Sequence, residues 1–193
     1  MLTHNSSSMS VSYAPVIPPI LFIDPNIDQP HYLVVGASPK AEVILLDPGQ
    51  DGIEQITKVL QQRTNSPDIH IIAHGAPGCL YLGNSELSLD TLANYEMQLK
   101  KWQGQICLYG CHVAAGDTGT EFLKKLYHLT QSSIYASTTK IGHACFGGNW
   151  HLDVQIGAGT LTDSPNPYPS LPISPVTLAT YPSTLKKSHD VPL

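Results

Sequence analysis

The sequence predicts an α/β domain of three layers, a mainly parallel sheet with helices on both faces, and three observations carry that prediction. Five short apolar runs are rich in Ile, Val, Leu and Tyr and bounded by Asp, Gly, Pro or Ser, as strands buried on both faces are. Amphipathic patterns of helical period lie between them. The 193 residues are 41% hydrophobic and only 13% charged, enough for one packed core and unlike a disordered or coiled-coil chain.

The runs are PILFID (19–24), AEVILLD (41–47), DIHIIAH (68–74), QICLYG (105–110) and SSIYAS (132–137). A helix over 51–64 places Ile53, Ile56, Val59 and Leu60 on one stripe, with Asp47 turning the chain toward it. A second over 88–102 does the same with Leu92, Tyr95 and Leu99. A third, over 116–131, has Asp117 or Thr118 as its expected N-cap and aligns Phe122, Leu123, Leu126 and Leu129. Strand and helix alternate, so right-handed crossovers and parallel pairing follow. Two stretches break the rhythm: 78–87 reads as an inserted hairpin arm, and 146–157 alternates as a terminal strand or hairpin. The expected organisation is a flexible segment over 1–18, one domain over 19–161, and a Pro- and Ser-rich tail over 162–193. No internal repeat is present.

A net charge of −5 without any long Lys/Arg run argues against nucleic acid as a partner. The N-terminal stretch has neither a basic region nor a continuous apolar one, so no classical signal peptide is visible. No run is long enough to span a bilayer, which predicts no membrane insertion. This leaves a cytoplasmic chain or one exported by a non-classical route. Cys79, Cys107, Cys111 and Cys145 form no C-x-x-C pair and read as mostly reduced.

Ligands of open parallel sheets bind beyond the carboxyl ends of the strands. Two runs end in chemistry there: one in His74 and Gly75, the other in Gly110 and Cys111. On neighbouring strands, His74 and Cys111 would form a thiolate–imidazole pair. The backbone N–H groups of Gly75 and Cys111 would supply two donors for a tetrahedral oxyanion, and Gly110 would leave space beside the thiol. A helix starting near Asp117 would favour the thiolate through its dipole. The same residues also suit a purely structural role, since glycine is common in turns and cysteine is common as a small buried hydrophobe. Cys107, Cys111, His112, His143 and Cys145 match no established zinc spacing, so no metal and no other cofactor is expected. No G-x-S-x-G is present, and GAPG (75–78) lacks the Lys of a phosphate loop.

The runs FID, EVILLDPGQDGIEQITKVL, IHIIAHGAPGCLYLGNSELSLDTL, ICLYGCHVAAGDTGTEFLKKL, YAST and GGNWHLDV carry a resemblance over about residues 19–157. They resemble a bacterial domain of unknown function found near the N-terminus of long, repeat-rich, adhesin-like surface proteins. That domain is similar in turn to the caspase, gingipain and separase superfamily of cysteine peptidases, clan CD. The resemblance implies a caspase-like fold, His74 as general base, Cys111 as nucleophile and Gly75 as oxyanion donor, acting on a peptide or protein substrate, with the host chain or a neighbouring surface protein as candidates. Ser137, Thr138 and Thr139 stand where the family usually has Ser-Asp-Asp, so an acidic specificity pocket is not expected. His112 follows the cysteine where the family usually has another residue type, placing a second imidazole beside the candidate thiol. Ser137, Thr138, Gly110 and His112 are thus the expected site-lining residues. The competing expectation is a non-catalytic binding, adhesion or secretion-associated module on the same fold. The oligomeric state is left open by the sequence.

Overall fold

In a computed structural model, residues 17–157 and 169–187 are described. Nine strands and five helices follow in chain order among them: β1 (Ile20–Ile23), α1 (Pro30–Val35), β2 (Glu42–Leu45), α2 (Gly52–Gln61), β3 (Ile69–Ile72), β4 (His74–Ala76), β5 (Cys79–Leu82), β6 (Ser85–Ser88), α3 (Glu96–Leu99), β7 (Ile106–Tyr109), α4 (Gly116–Thr130), β8 (Ile134–Ala136), β9 (Val154–Ile156) and α5 (Pro175–Thr180). The main sheet has the order β2-β1-β3-β7-β8-β9, parallel except for the antiparallel edge strand β9. Strands β4, β5 and β6 form a separate antiparallel sheet containing the expected hairpin.

The strand pleat divides the core in two. Ile20, Phe22, Ile69, Ile71, Ile106 and Leu108 face one cluster with Ile53 and Ile56 of α2, Leu99 of α3, and Phe122 and Leu126 of α4. Leu21, Ile23, Ile72 and Tyr109 face the other, with Leu33 of α1, Ile173, Tyr181 and Leu185. Alternate side chains point to opposite faces, so two buried faces require apolar residues at nearly every position. The three-layer α/β architecture follows from this arrangement. No helix among the described residues is long and apolar enough to cross a membrane.

Three expectations change. The helix over 88–102 is a 3-10 turn over Leu92–Tyr95 followed by the four-residue α3. The third helix is capped by Ala115, which offers no side-chain oxygen, because its first bond already runs from Gly119 N–H to the Ala115 carbonyl (3.1 Å). Most consequentially, 169–187 returns to the domain where a tail from 162 was expected. Pro175 sits in the first turn of α5, where a missing N–H costs nothing, and Ser174 Oγ caps it by accepting from Thr177 N–H (3.1 Å). Tyr181 and Leu185 are fully buried, so the Pro-rich composition reflects helix starts and extended backbone. Residues 1–16 of the expected N-terminal segment, and 158–168 and 188–193, lie outside the described residues.

Candidate functional site

Strands β3 and β7 are parallel neighbours with Ile72 opposite Tyr109, so His74 and Cys111 each stand two residues beyond the last paired position. His74 is not the end of β3, as the sequence suggested, but the first residue of β4 in the small sheet. The two turns touch through their glycines. A Cβ built on Gly75 would lie 2.8 Å from Cys111 N and from Gly110 C, and one on Gly110 would lie 3.2 Å from Gly75 Cα. Gly110 therefore serves the packing of β4 on this turn, with Leu80 Cδ2 as the nearest contact, and not space beside the thiol.

Both ring nitrogens of His74 meet backbone carbonyls, Nε2 that of Asn26 (3.0 Å) and Nδ1 that of Leu185 (3.2 Å). A neutral imidazole donates to only one of them at a time. The Leu185 carbonyl also accepts from Gly75 N–H (3.3 Å), so the expected base and the expected oxyanion donor converge on one peptide oxygen. Asn26 is set by Asp24 at the carboxyl end of β1. The buried Asp24 carboxylate accepts from Asn26 N–H (2.8 Å) and from Gly83 N–H, tying the 24–26 turn to the small sheet. Burial pushes the Asp24 carboxyl up, and the amides of Gly83 and Asn26 and the charge of His74 pull against it. The sequence reading missed Asp24 and Asn26. The only available signal was an acid closing the apolar run FID at a strand's carboxyl end.

Asp24→Asn puts an amide donor against one of these two backbone N–H groups. The expected result is a loss of about 1–3 kcal/mol, seen as a lowered thermal midpoint. If His74 activates Cys111, slower alkylation of Cys111 should accompany it as the Asn26 carbonyl drifts from His74, and Asp24 would then be a positioning residue.

Cys111 is fully buried. Its Sγ lies 3.5 Å from the Ile141 carbonyl and 3.3 Å from Ile141 N, and the Leu185 amide also faces it. Burial pushes the thiol above its ordinary range, and the amides of Ile141 and Leu185, with Lys140 and Lys186, only partly counter this. The expected depressed thiol is therefore not what this closed arrangement holds, because desolvation outweighs the nearby positive charge. Leu185 N–H donates to the Ile141 carbonyl (2.8 Å). The backbone of residue 185 thus lies between His74 and Gly75 on one side and Cys111 and Ile141 on the other.

His112 has left-handed backbone (φ 61°), and its Nδ1 pairs with the Thr138 carbonyl (3.0 Å), which ties this turn to the end of β8. Ser137 is buried, with its Oγ 3.0 Å from Thr139 Oγ1. Thr138 N–H donates to the Asp153 carboxylate (2.8 Å), and so does its hydroxyl. An acid thus does reach this rim, from the segment before β9. Partial burial alone would raise the Asp153 carboxyl, but the bonds from Thr138 hold it below the ordinary carboxylate range. Among the described residues no cluster of three or more His, Cys, Asp or Glu side chains could hold a metal ion.

The profile of a family described as "Domain of unknown function (DUF4347)" matches residues 20–185. No curated protein and no solved structure gives a match.

Proposed function

From the premise that this chain belongs to the DUF4347 family, a domain of unknown function, we propose that it is a cysteine endopeptidase working through His74 and Cys111. The observation that carries the reading is the convergence of His74 Nδ1 and Gly75 N–H on one peptide carbonyl oxygen, beside the turn that bears Cys111. In the proposed reaction His74 takes the thiol proton and Cys111 Sγ attacks the scissile carbonyl. The oxyanion is held by Gly75 N–H and Cys111 N–H, and the protonated His74 delivers its proton to the leaving amine. Water, deprotonated by His74, then hydrolyses the acyl-enzyme and restores the thiol. The scheme uses no cofactor. The resemblance to clan CD peptidases supports the same roles, and the adhesin-like hosts of the resembling domain support a surface protein as the substrate class.

A second reading, a non-catalytic binding or secretion-associated module, is favoured by the full burial of Cys111 and its raised thiol. The two part in an alkylation experiment on Leu185→Ala, which trims a buried side chain of the cluster that holds Cys111. Iodoacetamide labelling of Cys111, followed by mass spectrometry and referred to the exposed Cys145, is expected to slow about tenfold or more when His74→Ala is added. Labelling indifferent to His74 would leave the binding module.

A further inference from the structure

The segment 183–187 sits in the candidate site as a bound peptide would. Thr184 bridges Gly142 in antiparallel fashion, with Leu185 N–H on the Ile141 carbonyl (2.8 Å) and His143 N–H on the Ser183 carbonyl (2.9 Å). On the opposite side Lys186 bridges Gly75 in parallel fashion, and Gly75 N–H donates to the Leu185 carbonyl (3.3 Å). The extended segment therefore fills a slot with backbone partners on both sides, the main-chain recognition used when a peptide adds to a sheet edge. Its side chains are seated too. Leu185 is fully buried in the cluster containing Tyr109, Cys111, Ile141 and Tyr181, and the Lys187 ammonium lies 3.9 Å over the Tyr81 ring.

Resting on the peptidase reading above, we infer that residues 183–187 occupy the substrate groove in substrate register, with the Leu185 carbonyl in the place of the scissile carbonyl. The preferred substrate is then an extended peptide with an aliphatic residue at that position. The Leu185 oxygen is the atom on which the base and the oxyanion donor converge, and the pocket beside it is filled by an uncharged branched side chain. Asp153 is already engaged by Thr138, so it does not make this pocket one for a basic residue. The same contacts make the segment a competitor of any incoming peptide.

The test uses the full chain, as wild type and as Leu185→Ala, with three chloromethyl ketones, acetyl-Pro-Ser-Thr-X with X = Leu, Arg or Asp. Cys111 labelling is read by mass spectrometry. In Leu185→Ala the Leu ketone is expected to label Cys111 about tenfold or more faster than the Arg and Asp ketones, the discrimination a shaped apolar pocket gives. Wild type should react more slowly than the variant with all three. Equal rates for Leu, Arg and Asp, or wild type as fast as the variant, overturn the inference. Should Leu185→Ala fail to fold, hydrogen exchange on the wild type decides. The Leu185 amide should lose protection once the Leu ketone is attached to Cys111, and retained protection would overturn the shared groove. His74-dependent iodoacetamide labelling without ketone preference removes only the substrate register. A Cys111 inert to every reagent in the folded variant removes the peptidase reading with it.

Discussion

Gly75→Ala is expected to lower stability and, on the proposed peptidase reading, to cut Cys111-dependent turnover in one step. The added methyl would sit 2.8 Å from Cys111 N and Gly110 C and 2.9 Å from Cys111 O. All three are backbone atoms of a turn fixed at the end of a central strand, so no side chain can swing aside. Forcing the turns apart costs roughly 1–3 kcal/mol by the usual measure of overpacking. Separation also draws Gly75 N–H from the Leu185 carbonyl it faces, and on the proposed peptidase reading loss of one oxyanion donor would cost about 10²–10³ in turnover. Thermal melting with a peptide-turnover or Cys111-labelling assay would check both. A variant that melts like the wild type and labels at the wild-type rate would contradict the contact between the two glycine turns.

Acid is expected to weaken the fold through His70, well before carboxylate titration. His70 lies on β3, 2% exposed, stacked on Tyr109 with ring centroids 6.0 Å apart, and its Nδ1 has no partner among the described residues. Burial lowers its pKa from the ordinary 6.5 to about 4. Between those values the unfolded chain holds a proton that the native chain does not. Stability is therefore fully present above 6.5 and is lost as the pH falls toward 4. At about 1.4 kcal/mol per pH unit the loss reaches about 3 kcal/mol. Asp24 and Asp68, whose carboxyls burial raises, act in the opposite sense near the lower end of this window. The slope should thus be clearest in its upper half. Denaturant titrations at several pH values should show it in the wild type and find it flattened in His70→Leu. Parallel slopes in the two chains would contradict it.

The parts of the fold and site that could be read in the sequence are those written in side-chain pattern. Apolar runs such as IHII and ICLY mark strands buried on both faces, and their register sets His74 level with Cys111. What escaped was written in backbone contacts. His74 is held by the carbonyls of Asn26 and Leu185, 48 and 111 residues away, and a carbonyl is the same whatever residue carries it. Asp153 escaped because it reaches Thr138 from 15 residues downstream, while the resemblance puts the acids directly after Ser137, where this chain has Thr138 and Thr139. The stretch after 162 misled for a compositional reason. Proline and serine mark loops, yet here Ser174 and Pro175 start a helix, and only Tyr181 and Leu185 hint at burial.

The late position of Leu185 has a consequence for biosynthesis. It follows His74 by 111 residues, so at roughly 5–20 residues per second a ribosome makes the first roughly 5–20 s before the second. By the end of that interval the central strands and both glycine turns have been synthesised, while the segment that lies over the sulfur is still to come. Each new molecule therefore begins life uncovered, and the order of translation sets how long it stays so.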